Sequence, residues 1–169
     1  GDGYDDLVIS NSSKTINGAT NAGAVYVVFG KSGGFGATFD VSQLNGTNGF
    51  KIHGTESSRI GESVSLAGDF NADGYSDLLI GAPGININQT SCMILYGHSG
   101  SNAATVTYGA VDGFNGFMVK SNFFEQVGDS VSFADLNGDG FDELVVGSQE
   151  DEAYVIYGKD FLANAYVGT

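Results

Sequence analysis

The chain has 169 residues, with 20 acidic against 6 basic side chains, a formal charge of -14 and 41% hydrophobic residues. This apolar content suits one sizeable core and excludes a disordered acidic tail. The charge argues against nucleic acid and anionic membrane surfaces as partners, and no apolar run approaches the roughly 20 residues that a membrane helix needs.

In chain order, the first feature is GDGYDDLVIS at residues 1–10, where acids and glycines lead into an apolar strand. The same passage occurs whole at two later places, so the chain is expected to be a piece of a longer protein, and targeting signals cannot be judged. A strand, VYVVFG, follows and ends in aromatic-glycine at Gly30. GKSGGFG comes next. A phosphate loop ending at Lys31-Ser32 would need a glycine at Val25, and no helix opens after it, so that reading fails. GFKIHG and, further on, GFMVKS each read as a strand. Between them, ESVSLAG alternates as a half-buried strand does, while DLLIGA is a continuous apolar run suited to burial on both faces. SCMILYG and AYVIYG repeat the aromatic-glycine ending at Gly97 and Gly158. Near the end, DFLANAY is a weak helix candidate for which strand or loop serves equally well.

The single cysteine, Cys92, excludes an internal disulfide and a cysteine-based zinc site. It lies in an apolar strand and is expected to act as a small buried hydrophobe. The two histidines, His53 and His98, are expected at strand ends in polar loops. No serine sits in a nucleophile elbow, so no catalytic constellation is expected. Three Asn-x-Ser/Thr triplets, at Asn11, Asn45 and Asn88, are read as chance matches in a chain rich in Gly, Asn and Ser.

Repetition organises the chain. Gly49-Phe50 recurs as Gly116-Phe117 and Ser63-Val64-Ser65 as Ser130-Val131-Ser132, both at a step of 67. Asp73-Gly74 recurs as Asp139-Gly140 at a step of 66, the difference being Gly68, which the later copy lacks. The period divides the chain into a partial unit at 1–49, a complete unit at 50–115 and a further unit at 116–169. A repeated four-stranded unit of this size predicts an all-β chain of β-propeller blades, about two and a half of them, each burying its faces against its neighbours. A β-sandwich of about ten strands is the alternative, and the regular repeat argues against it.

The two whole loops run Asp69, Phe70, Asn71, Ala72, Asp73, Gly74, Tyr75, Ser76, Asp77 and Asp135, Leu136, Asn137, Gly138, Asp139, Gly140, Phe141, Asp142, Glu143. Oxygen-bearing side chains fall at positions 1, 3, 5 and 9 of both. Glycine stands at position 6, and the aromatic at position 7 can offer its carbonyl. Calcium takes 6 to 8 oxygen ligands in flexible geometry. The expected metal ligands are therefore Asp69, Asn71, Asp73, Tyr75 and Asp77 in one loop, and Asp135, Asn137, Asp139, Phe141 and Glu143 in the other. Magnesium, which demands near-ideal octahedral geometry, fits less well. An EF-hand would carry Glu at position 12 and continue into a helix. Here position 12 is Ile80 or Val146, and a strand begins instead. The plain alternative is that Asp, Asn and Gly simply form turns. The first copy keeps Asp2 and Asp6 without partners at positions 1 and 3, so its site is expected to be broken.

These residues resemble FG-GAP repeats, the blade unit of integrin α-subunit β-propellers. The second unit carries the pattern best: Ile60-Gly61 stands at the Phe-Gly site, Gly81-Ala82-Pro83 is the Gly-Ala-Pro, and the acidic loop lies between. The third has Val127-Gly128 and Gly147-Ser148-Gln149, and the first has Ser10-Asn11-Ser12 at the Gly-Ala-Pro site. The connecting text resembles spacers of large secreted bacterial calcium proteins. The resemblance implies Ca2+ in a structural role, an extracellular or cell-surface place, and a non-enzymatic segment of an adhesion or surface protein. Its partners would be neighbouring blades and an extracellular protein or glycan. Two other roles are implied as alternatives: a carbohydrate-binding, lectin-like propeller, which the absence of tryptophan weakens, and a propeller appended to a secreted hydrolase.

Overall fold

A computed structural model describes residues 2–84, 90–121, 127–148, 152–158 and 166–167. The strands in chain order are β1 (Leu7–Asn11), β2 (Ala24–Val28), β3 (Gly49–His53), β4 (Val64–Gly68), β5 (Asp77–Gly81), β6 (Thr90–Leu95), β7 (Thr105–Thr107), β8 (Gly116–Ser121), β9 (Ser130–Ala134), β10 (Glu143–Gly147), β11 (Ala153–Ile156) and β12 (Tyr166–Val167). Among the described residues the only helices are two short 3-10 turns, Val41–Gln43 and Tyr108–Ala110, and no helix is long and apolar enough to cross a membrane. The segment DFLANAY falls on residues 160–166, nearly all outside the described ones.

The chain is all-β and is built of propeller blades. Its central sheet runs β4-β5-β6-β8, antiparallel throughout, and β12 adds in parallel to β8. The preceding sheet runs β1-β2-β3, with the short β7 parallel to β3, and the following sheet runs β9-β10-β11. Apart from β7 and β12, which each pair back onto the preceding sheet, sheet membership changes after His53 and after Ser121, a few residues beyond the period marks at 50 and 116.

Two cores lie between these three sheets. Alternate side chains of a strand point to opposite faces, and the central sheet uses both. Leu78, Ile80, Met93 and Leu95 join Val25, Val27, Phe50 and Ile52 of the first sheet. Leu79, Cys92, Ile94, Phe117 and Val119 join Leu144, Val146 and Ile156 of the third. That is why DLLIGA is an unbroken apolar run: all five residues of β5 are buried. Cys92 is fully buried, and burial pushes its thiol up to about 12, so it is the inert hydrophobe expected. The outer sheets are covered on one face. Leu7 and Ile9 of β1 are 54% and 40% exposed, where their counterparts Leu78 and Ile80 are buried.

The extra residue of the second unit is accommodated as a bulge. Pairing of β4 with β5 shifts register between Leu66 and Gly68. A Cβ on Gly68 would stand 2.1 Å from the ring of Phe133, on β9 of the next blade. The glycine therefore makes room for the following blade's aromatic. In GKSGGFG, Gly33 and Gly34 take positive φ, and Gly34 donates to the Lys31 carbonyl, so the segment is a glycine turn.

Candidate functional site

The acidic loops occupy the hairpins β4–β5 and β9–β10, and their ninth residues, Asp77 and Glu143, open the second strand of each pair. The hairpin must reverse within eight residues. Gly74 and Gly140 at position 6 take φ of 86° and 89°, as does Gly3 at 89° in the first loop. Position 4 is also left-handed, with φ of 53° at Ala72 and 76° at Gly138. The third loop meets this second demand with glycine, whereas the second loop carries strain at Ala72.

The side chains at positions 3 and 5 hold the turn in the same way in both whole loops, and position 1 shares its bond to the position 6 amide while its second bond goes to position 5 in one loop and position 4 in the other. Asp69 accepts from the amides of Asp73 and Gly74 at 3.0 and 2.9 Å. Asp135 accepts from Gly138 and Gly140 at 2.7 and 3.1 Å. Asn71 and Asn137 accept from the amides of Asp73 and Asp139, and those aspartates accept from Tyr75 and Phe141. Asn71 Nδ2 also donates to Asp73 Oδ2 at 2.9 Å. In the first loop, Asp2 keeps the equivalent bond from the Tyr4 amide.

Position 9 differs from the rest because it is buried. Asp77 Oδ2 accepts from the amide of Phe70 at 2.9 Å, and Oδ1 accepts from that of Gly97, at the end of the third strand, at 2.8 Å. Asp6 accepts from Gly30 in the same way at 2.8 Å. Burial pushes the Asp77 carboxyl up to about 6, against the pull of the Gly97 and Phe70 amides, with Asp73 and Asp69 adding to the push. Glu143 Oε2 accepts from Leu136 at 2.7 Å, as Asp77 does from Phe70. Its extra methylene carries Oε1 to within 3.4 Å of Asn137 Nδ2, so the longer acid braces the position 3 side chain of its own loop.

The structure thus brings Asp69, Asn71 and Asp73 together at one exposed turn, with Asp77 at its buried base. Asp135, Asn137, Asp139 and Glu143 form the second such arrangement. Among the described residues, no group of three or more His, Cys, Asp and Glu side chains gathers into a cluster ready to hold a metal. The carboxylates are engaged by amides of their own turn and, at Asp77, also by that of Gly97. The donor set nevertheless fits a hard cation. It consists of oxygens, each carboxylate oxygen keeps a lone pair beyond its amide bond, and no described Lys, Arg or His pairs with these acids. The His53 ring is partly buried at the end of β3, and burial followed by Lys51 lowers its pKa. His98 is exposed and bonded to Ser99 and Asn102.

Two features were not read from the sequence. The aromatic-glycine endings were seen as a repeat without a cause. The structure shows that the glycine lets the strand end press on the loop: a Cβ on Gly97 would stand 2.4 Å from the Ser76 carbonyl oxygen, and one on Gly30 would stand 2.4 Å from that of Asp5. The recurrence of an aromatic-glycine pair at the end of the strand that follows each acidic hairpin was the available signal. The second feature is Asp142 at position 8, whose carboxylate leaves its own loop and accepts from the Asp69 amide at 2.8 Å.

Comparison with known proteins agrees with this architecture. The model of the FG-GAP repeat matches residues 1–28, 60–90 and 127–157, which together make up more than half of the chain. Phosphatidylinositol-glycan-specific phospholipase D of Dictyostelium discoideum is 28% identical over 88% of this chain and 16% of its own length. Integrin alpha-PS5 of Drosophila melanogaster is 27% identical over 93% of this chain and 14% of its own length. Human integrin alpha-6 is 25% identical over 91% and 12% respectively. The chain spans less than a fifth of the length of these relatives. With three matches placed on three successive sheets, two of them spanning a whole acidic hairpin and the first beginning within one, the chain belongs to the FG-GAP repeat family.

Proposed function

We propose that the chain is a calcium-stabilised segment of a β-propeller from an extracellular adhesion or surface protein, with the metal in a structural role. The observation that carries this reading is the repetition of one donor arrangement in two hairpins. Positions 3 and 5 accept from the amides of positions 5 and 7 in each, and position 1 accepts from position 6 in each, around three acids that no described basic side chain pairs with. Calcium would be held by Asp69, Asn71, Asp73, Tyr75 and Asp77 in the second blade, and by Asp135, Asn137, Asp139, Phe141 and Glu143 in the third. Bound there, it supplies positive charge that turns carboxylate repulsion into attraction. The chain's part is to fold each hairpin around it. A surface-protein role rests on the similarity to integrin alpha chains.

A second reading has specific support. Relatives named as phospholipases D span most of this chain, which favours a non-catalytic propeller carried beside a hydrolase domain. The parent gene discriminates: a catalytic domain next to the repeats supports this reading. A lectin-like role has no comparable observation.

Equilibrium dialysis against calcium tests the metal sites. Two calcium ions per chain are expected, with Asp73→Ala and Asp139→Ala each removing one. Uptake that neither substitution changes would place the metal elsewhere.

A further inference from the structure

We propose that Asp142 is a positioning residue through which a filled cation loop in the third blade strengthens cation binding in the second. The proposal rests on the calcium reading above. Position 8 is not among the expected ligands, and Asp142 spends its carboxylate outside its own loop. Its Oδ2 accepts from the amide of Asp69 at 2.8 Å, and its own amide donates back to the Asp69 carbonyl at 3.4 Å. Asp69 is position 1 of the other loop, and both its carboxylate oxygens are aimed into that loop by Asp73 and Gly74. The reciprocal pair therefore fixes the backbone from which a first ligand of the second blade springs.

The same residue lies between Phe141 and Glu143, positions 7 and 9 of its own loop, so a cation held there restrains Asp142 on both sides. Slack between the loops is small. A Cβ on Gly158, at the end of the third blade's strand, would stand 2.6 Å from the Phe70 carbonyl oxygen and 2.9 Å from that of Asp142. Phe70, next to Asp69, is 1% exposed within the core between the two blades. Ordering one loop therefore lowers the entropy that remains to be lost when the other binds, which is positive coupling without a shared ligand. Direct repulsion between two bound cations acts in the opposite sense, so the sign of the coupling tells the two effects apart.

The test is a calorimetric titration of the whole 169-residue chain with calcium alone. Asp139→Ala silences the third loop, and Asp142→Ala and Asp142→Asn vary the tie, with and without Asp139→Ala. In the parent chain, Asp139→Ala is expected to weaken the second loop about five- to tenfold. In Asp142→Ala that dependence disappears. In Asp142→Asn, whose Oδ1 still accepts the Asp69 amide, it persists, which separates the hydrogen bond from the through-space effect of the charge. Melting in chelator is measured beside each titration. The proposal is overturned if Asp139→Ala leaves the second loop's affinity unchanged or raises it. It is also overturned if Asp142→Ala lowers the chelated melting temperature yet keeps the dependence on Asp139, for the residue is then only structural. A parent chain that takes up no calcium sinks both this proposal and the reading beneath it, whereas two independent sites sink this proposal alone.

Discussion

Phe70→Ala is expected to destabilise the calcium-loaded chain by about 3–5 kcal/mol, while Leu136→Ala at the same loop position changes stability by no more than about 0.5 kcal/mol. Both residues stand at position 2 of an acidic loop, and each donates its amide to the acid at position 9. They differ in what covers them. The Phe70 ring is 1% exposed, 5.3 Å from the Phe117 ring centroid and packed in the cluster that contains Leu144, Val146 and Ile156 of the next blade. Leu136 is 57% exposed. Truncating Phe70 removes apolar area and leaves a cavity at a seam built from two blades, which can close only by moving one against the other. Urea denaturation of the two variants against the parent reads the difference. Equal losses would mean that the seam between the second and third blades is not packed as described.

Gly97→Ala is expected to cost about 2–5 kcal/mol, a large effect for one methyl group. The added Cβ would stand 2.4 Å from the Ser76 carbonyl oxygen and 2.8 Å from Tyr75 Cβ, so the strand end must move off the loop. That movement draws the Gly97 amide away from Asp77 Oδ1, and a buried carboxylate then loses one of its two backbone donors. The loss falls on a group whose burial already disfavours its charge. Calcium affinity of the second loop is expected to fall with stability, because Asp77 is one of the proposed ligands. Gly109→Ala, where a Cβ meets nothing within 4 Å, is the control and should leave the melting temperature nearly unchanged. A Gly97→Ala chain as stable as the Gly109→Ala chain would show that the strand end does not brace the loop.

The unbroken apolar run of β5 and the alternation of β4 made the blade legible in the sequence, because each pattern reports which faces are covered. Burial of Cys92 followed from the apolar strand SCMILYG in which it stands. The loop positions were legible because a tight turn fixes which side chains point inward, and the positive φ at Gly74 and Gly140 bears out the turn. What was hidden depended on contacts between distant segments. Asp77 is expected from its place at position 9 of the loop as an oxygen ligand, yet its carboxylate also clamps the loop to Gly97, 20 residues away. The Asp142–Asp69 pair spans 73 residues and two blades, and no local pattern encodes it. Gly68 was visible as an insertion, but its reason, the Phe133 ring of the next blade, required the packed structure. A repeat unit advertises its internal design. Its seams are written in residues that differ between copies, as Phe70 and Leu136 do.

The most direct test of the account is a thermal melt of the chain in millimolar calcium and again in excess chelator, repeated with the Asp73→Ala, Asp139→Ala double variant. At ten times its dissociation constant each filled site contributes about 1.4 kcal/mol, so two sites give about 2.8 kcal/mol. For a chain of this length that corresponds to a rise of several degrees. The account predicts that rise in the parent chain and its absence in the double variant. Identical melts of the parent chain with calcium and with chelator would contradict it and leave the acidic loops as turns that hold only themselves.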